Sequence, residues 1–414
     1  MPRLAQPQPQ VPTTRQEGPS LSPDAARAPA LSLELRVLLA ACAAPADAAA
    51  SRLPLDGIDW RRLATLAQRH RVRPQLAAGL AGEKRMPASL ADRLHRQCRA
   101  VAQRNLLLTG RLLGIVSALG GEGIACIPYK GPALARHLYG DIGRREFEDL
   151  DILLRPADVV RAVETLRHAG FSPDLPFTPR RAAAYLRVER ECHLTADDGT
   201  AVELHWAVTP RYFAFPLSAE PLWERSSADQ LLGRQVRRLD WADLLLVLCA
   251  HGATHRWGRL QWICDVDRLV CLGQVDWSRV LETACRTGGR RMLLLGLLLA
   301  RRLLSTPLPP IVLSAIGQDR ALTRLADWVM RNLEATRQAT GALAACWFPM
   351  CVRDRPRHRI ECALRLALMP NAVQLGRVAL PSPLTGLYAP LRLAHLAGRA
   401  LREAASRRSE PPTA

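Results

Sequence analysis

Lysine is almost missing from this chain. Of 57 basic residues only Lys84 and Lys130 are lysine and the rest are arginine, set against 38 acids for a net charge of +19. That bias is the one expected of a GC-rich bacterial genome. The arginines are scattered along the whole length, as at Arg61, Arg111, Arg180, Arg237, Arg301 and Arg357. A basic excess favours anionic partners, but this scatter fits solvated helix faces better than a dedicated groove. No helix-turn-helix signature, zinc-finger spacing or RNA-recognition aromatic motif occurs, so nucleic acid is the weaker expectation, though the charge leaves it open. The eleven cysteines include no C-x-x-C. Cys346 and Cys351 are the closest pair, with nothing nearby to complete a metal site. Cys126, Cys249 and Cys264 sit in apolar surroundings and read as core residues, which suits a reduced, cytoplasmic compartment. Long apolar runs are missing too. The longest, Met292 to Ala300, stops at Arg301-Arg302, short of the roughly 20 residues that span a bilayer. No apolar stretch follows Arg3, so no signal peptide is expected.

What is present is ordinary globular composition, 48% hydrophobic and 23% charged over 414 residues, enough for two or three domains. Residues 1–30 hold seven prolines and no apolar period, a disordered tail. Residues 31–118 read as a helical region. Its segments are Leu31–Ala44, Asp59–Gln68 with Asp59 as N-cap, and Ser89–Leu119 stopping at Gly120-Gly121. Residues 119–212 read as an α/β core. Ile124–Tyr129 is a buried strand, Ala133–Tyr139 a helix with Pro132 in its first turn, and Asp149–Leu154 an alternating strand. Pro156–Ala169 is a helix. Val188–Thr195 and Thr200–Val208 form a hairpin about Asp197-Asp198-Gly199. Residues 213–239 read as a connecting segment. Residues 240–405 read as a helical domain containing Asp240–His251, Trp262–Leu272, Ser278–Gly288 and Met292–Leu304, and 406–414 as a tail. Leu391–Arg408 is amphipathic and basic, a helix more in keeping with docking on its own protein than with a membrane. The fold class is α+β, a small mixed-sheet core flanked by N-terminal and C-terminal helical regions.

The chemistry concentrates in Asp149-Leu150-Asp151. Alternation along a strand puts Asp149 and Asp151 on one face and Leu150, Ile152 and Leu154 on the other. Paired carboxylates repel and resist burial, and a divalent cation removes both problems. Magnesium in particular takes one or two carboxylates plus substrate phosphates. Three neighbours add to this. Lys130-Gly131-Pro132 is a strand-to-helix turn of the kind that meets phosphate, carrying one of the two lysines. Arg145 lies in the loop before the aspartates, beside Arg144, and suits phosphate or carboxylate. Glu203 shares a strand face with His205, and a strand paired near Asp149–Leu154 would bring Glu203 to the same metal as ligand or general base. His205 reads best as a support for these carboxylates. His251 and His255, four apart on a helix, share a face. They suit packing or an acceptor pocket better than zinc, because position 252 is glycine where a zinc protease motif has glutamate.

The residues that carry these features resemble a known family. The run Lys130-Gly131-Pro132-Ala133-Leu134-Ala135, then Leu138-Tyr139-Gly140-Asp141, Arg145 and Asp149–Leu154 is similar to the uncharacterised bacterial nucleotidyltransferases of the DNA polymerase β-like superfamily. The likeness continues at Glu203-Leu204-His205-Trp206, at His251–His255, at Leu260–Val266 and from Pro381 to Leu393. The resemblance implies a nucleotidyltransferase core with Asp149 and Asp151 as metal ligands and Glu203 as the third carboxylate. Pro132 departs from the Gly-Ser or Gly-Gly of the wider superfamily and removes a backbone donor. The expected reaction is magnesium-dependent transfer of a nucleoside monophosphate from a nucleoside triphosphate to an unidentified acceptor. One or two ions would serve, manganese being a substitute, and Lys130, Gly131 and Arg145 would meet the nucleotide. A glycosyltransferase that holds a nucleotide-sugar through the same D-x-D, and a non-catalytic nucleotide- or nucleic-acid-binding scaffold, are the alternatives.

Overall fold

The computed structural model describes residues 31–43, 55–174, 189–213, 219–335 and 342–368, with a few isolated positions besides. The expected tails at 1–30 and 406–414 lie outside the described residues, as does most of Leu391–Arg408.

Helices come first. They are α1 (Leu33–Cys42), α2 (Trp60–Arg69), α3 (Arg73–Gly79) and α4 (Ala88–Gly121). Asp59 caps α2 as expected, its carboxylate accepting from the amides of Arg61 and Arg62. The mixed core follows: β1 (Ile127–Pro128), α5 (Gly131–Tyr139), β2 (Asp149–Leu153), α6 (Val159–His168), β3 (Phe171–Pro173), β4 (Glu191–Ala196) and β5 (Ala201–His205). Then come α7 (Ala219–Arg225) and a small hairpin, β6 (Ser227–Leu231) and β7 (Arg234–Arg238), inside what the sequence shows only as a connection. The later helices are α8 (Trp241–Thr254), α9 (Leu260–Cys271), α10 (Trp277–Thr287), α11 (Arg290–Leu304), α12 (Pro310–Gly317), α13 (Arg320–Glu334), α14 (Ala342–Cys351) and α15 (Pro356–Leu368). No described helix is long and apolar enough to cross a membrane. The chain thus has the α+β architecture expected, a mixed sheet between helical regions.

The five-stranded sheet runs β1-β2-β5-β4-β3. β2 and β5 are parallel, and every other pair is antiparallel. One face is apolar: Leu150, Ile152, Val202, Leu204, Cys192 and Leu194 bury against Leu108, Leu112 and Ile115 of α4 and Val163 and Leu166 of α6. The other face carries the polar alternates. The N-terminal and later helices are not separate bodies. Leu35, Leu38 and Leu63 share one apolar core with Leu245, Leu293 and Leu325, and that core also takes Ile127, Tyr129, Leu134, Leu138 and Leu153 from the sheet region.

Candidate active site

The polar face of the sheet is fixed by register. In the parallel pair, Asp149 lies opposite Ala201 and Asp151 opposite Glu203. In the antiparallel pair next to it, Glu203 lies opposite His193 and His205 opposite Glu191. Side chains directly opposite across strands are close neighbours. Three strands therefore present Asp149, Asp151, Glu203, His205, Glu191 and His193 on one surface. That surface floors a cavity of about 380 Å³, whose other walls include His251, Thr254, His255, Arg259, Gln261 and Trp262 from α8, α9 and the link between them.

Four carboxylates on one face are costly unless countered. Lys130 Nζ donates to Asp151 Oδ1 at 2.6 Å. His205 lies among three acids, with Nδ1 at 3.3 Å from Glu191 and Nε2 at 3.2 Å from Glu203 and 3.3 Å from Asp151. His193 bridges Glu191 at 3.4 Å and Glu203 at 3.3 Å. Burial alone would raise the pKa of Asp151, but Lys130 and His205 outweigh it and hold this carboxyl well below the usual range. Burial opposes the ionisation of Glu203 in the same way and is overcome by His193 and His205. His193 is pushed up to about 10 by its bonds to Glu191 and Glu203. Burial would discharge His205, yet Asp151, Glu191 and Glu203 hold its proton. Asp149 moves the other way: burial raises its pKa, and the charges of Asp151 and Glu203 add to that.

Asp151, Glu203 and His205 form a group in which one ligand atom from each lies within 4.8 Å of the others. His205 Nε2 is close to two carboxylates but meets neither in hydrogen-bond geometry. The distances would allow a hydrogen bond, but the N–H points along neither, so the contacts are ionic and not directed. This donor set suits a divalent cation, with hard oxygens from two strands and, once a cation displaces the proton on Nε2, one imidazole nitrogen. Asp149 shares the cavity but stands outside that group.

The remaining expected residues fall in different places. Lys130 reaches the acids from the turn into α5. Gly131 does not line the cavity. It has φ +53, and a Cβ there would lie 3.2 Å from the carbonyl oxygen of Asp149, so glycine lets the turn pass close behind β2. Arg145 lines the cavity but is committed elsewhere. Its Nε and Nη2 donate to Asp265 at 2.9 Å each, and Tyr139 Oη donates to the same carboxylate. With Asn105 holding its carbonyl at 2.8 Å, Arg145 clamps α9 to the core. His251 and His255 do meet at the cavity wall, 4.5 Å between ring centroids, each also packed on Trp262. Burial and then the Lys130 charge keep both neutral. His251 falls well below its ordinary value, and His255, accessible at the mouth yet ringed by protein, falls to about 4. Asp265 is bonded to Arg145 and Tyr139, so it completes no metal site with them.

Glu191 and His193 are members of this surface that the sequence analysis does not single out. The signal was present: a hairpin turning at Asp198-Gly199 must place them beside His205 and Glu203. Arg259 was also missed, and as one arginine among many it carried no signal.

A family model for uncharacterised nucleotidyltransferases matches residues 56–305, well over half of the chain. No curated protein matches. Among solved structures, an antigenic nucleotidyltransferase-like protein from Paracoccidioides brasiliensis is similar at 18% identity, with a TM-score of 0.30, over 51% of this chain and 92% of that one. The matched span holds every residue of the acidic face, and the chain belongs to the uncharacterised nucleotidyltransferase family.

Proposed function

We propose that this nucleotidyltransferase moves a nucleoside monophosphate from a magnesium-bound nucleoside triphosphate to an acceptor nucleophile, with pyrophosphate leaving. The observation that carries the reading is the parallel register that sets Asp151 against Glu203, with Asp149 on the same strand face. Magnesium takes oxygen donors, so these three carboxylates would hold it, and His205 would position Asp151 and Glu203; manganese would accept the imidazole as well. When bound there, the cation offsets charge on the phosphate oxygens and on the attacking and leaving groups. Glu203 is held ionised by two histidines, which suits a ligand better than a proton acceptor. His193 and Glu191 fix His205 and Glu203 in place. Arg145 acts at a distance by holding α9, and with it one cavity wall, against the sheet.

The test is thermal stabilisation by each nucleoside triphosphate with and without magnesium, in the native chain and in Asp149→Asn/Asp151→Asn. A ligand that binds the native state at a hundred times its Kd adds about 2.7 kcal/mol, a readable shift. A metal-dependent rise lost in the variant, followed by pyrophosphate release once an acceptor is supplied, supports the proposal. A rise with nucleotide-sugars alone would replace it with glycosyl transfer, and no rise with any nucleotide would remove it.

A further inference from the structure

Four Lys and Arg side chains line the cavity: Arg71, Lys130, Arg145 and Arg259. Lys130 is paired with Asp151, Arg145 with Asp265 and Arg71 with Glu148 at the surface. Arg259 is different. Its guanidinium makes no hydrogen bond or ion pair with any described residue, and its neighbour is the ring of Trp262, 5.4 Å from the centroid. A half-buried cation without an anion is unfavourable unless something else supplies the charge. Burial and then the nearby Arg71 push its pKa down, while Glu148, Asp149 and Glu146 oppose them from a distance.

The backbone is built to hold this arrangement. Arg71, Arg256 and Trp257 all have positive φ, at 55°, 55° and 52°. For such residues that costs on the order of 1 kcal/mol each and persists only where the surroundings enforce it. Trp257 is fully buried, in a slot between Gly252 and Gly296; a Cβ on either would lie within 3 Å of the indole ring. That plug fixes the loop that ends at Arg259. The turn bearing Arg71 is stitched to the start of α9 by three bonds: Leu260 N to His70 Nδ1 at 3.2 Å, Gln261 N to His70 O at 3.3 Å, and Gln261 Nε2 to Arg71 O at 3.2 Å. Two strained segments are thus locked together so that two guanidiniums face one cavity, beside the carboxylate Asp149, whose charge both of them feel.

We propose that Arg259, supported by Arg71, forms the subsite for the β- and γ-phosphates of the nucleotide and so for the departing pyrophosphate. This rests on the nucleotidyltransferase reading above and adds which residue meets the leaving group. Arg145 is less suited, because two of its three nitrogens, Nε and Nη2, are taken by Asp265. A guanidinium suits the task because it offers several donors in a planar fork matched to phosphate oxygens.

The test is calorimetric titration, with magnesium, of inorganic pyrophosphate, of the nucleoside triphosphate that stabilises the chain most and of its monophosphate. The proteins are the native chain, Arg259→Gln and Arg259→Lys. Loss of a charge-assisted phosphate contact should weaken pyrophosphate and triphosphate binding by about tenfold to a hundredfold and leave monophosphate binding unchanged. Arg259→Lys, which keeps the charge, should lose less, and it carries the test if Arg259→Gln melts early. An equal loss for the monophosphate, or no loss for pyrophosphate, overturns the subsite. If the triphosphate binds in an Asp151-dependent manner but ignores Arg259, the reaction stands and the subsite falls. If pyrophosphate needs Arg259 but no triphosphate binds the native chain, the subsite stands and the reaction falls. If neither ligand binds, both fall.

Discussion

Acid should loosen this protein through one buried histidine that lies outside the cavity but ties the turn before Arg71 to the start of α9. His70 is fully buried at the junction of α2, α9 and α13. Its Nδ1 accepts from the amide of Leu260 at 3.2 Å, and its Nε2 faces the carbonyl oxygen of Leu333 at 3.0 Å. An acceptor at Nδ1 and a donor at Nε2 describe the neutral ring, and a second proton would break the Leu260 bond. Burial first, then the charge of Arg69, push the pKa from 6.5 down to about 4. The folded value lies below the unfolded one, so the unfolded chain takes up the proton first. The stability that depends on the neutral ring is therefore complete above about pH 6.5 and is lost as the pH falls towards 4. With about 1.4 kcal/mol for each pH unit between the two values, the full loss is about 3 kcal/mol, of which about 2 kcal/mol is gone by pH 5. The assay is urea unfolding at pH 7.5, 6 and 5 on the native chain and on His70→Gln. The variant should be less stable at pH 7.5. The gap should close by about 2 kcal/mol on acidification, since groups such as His251 titrate in both proteins and cancel. Parallel stability profiles would refute the argument.

Two further perturbations test the frame around the site. Arg145→Met should cost about 3–5 kcal/mol in unfolding free energy, because it takes the guanidinium from the buried Asp265 and leaves it the Tyr139 hydroxyl; Arg145→Met/Asp265→Leu should recover much of that loss, and a double variant as weak as the single one would deny the clamp. Gly252→Ala drives a methyl to 2.5 Å from the Trp257 ring. It should cost about 1–3 kcal/mol by overpacking, whereas Gly110→Ala on α4, with nothing within 4 Å, should be neutral or gain up to about 1 kcal/mol. Melting curves of the two side by side decide the matter.

How far the sequence could be read depended on where each feature's cause lay. Asp59 announces α2 because a cap is a local device, and Asp149–Leu153 announces itself because alternation is local too. The turn between β6 and β7 gave no notice. Leu232 and Gly233 both take positive φ there, a backbone normally signalled by Asn-Gly or Asp-Gly, and Leu232 hides it. α3 is a short helix whose Arg73 and Gln75 are held by Glu146 and by the carbonyl of Arg144; such tertiary ties leave no periodic trace. At the site, the D-x-D pair and Glu203 were legible as chemistry, but only strand order could show that β5 runs parallel beside β2. The partner of Arg145 was likewise out of reach. A phosphate, a carboxylate of the site and Asp265 all suit a guanidinium, and choosing among them needs the fold.

The single core shared by the early and late helices bears on how an acceptor should be sought. Residues 119–212 contain all the acids of the floor and would be the natural piece to express alone. Cut out, that piece would present Ile127, Tyr129, Leu134, Leu138 and Leu153 to water, since the helices on either side are what cover them. It would also lose the histidine, tryptophan and arginine wall that closes the cavity. Bait for acceptor fishing must therefore be long enough to keep both helical flanks. A soluble fragment that captures nothing would report on its own missing half, not on the enzyme's appetite.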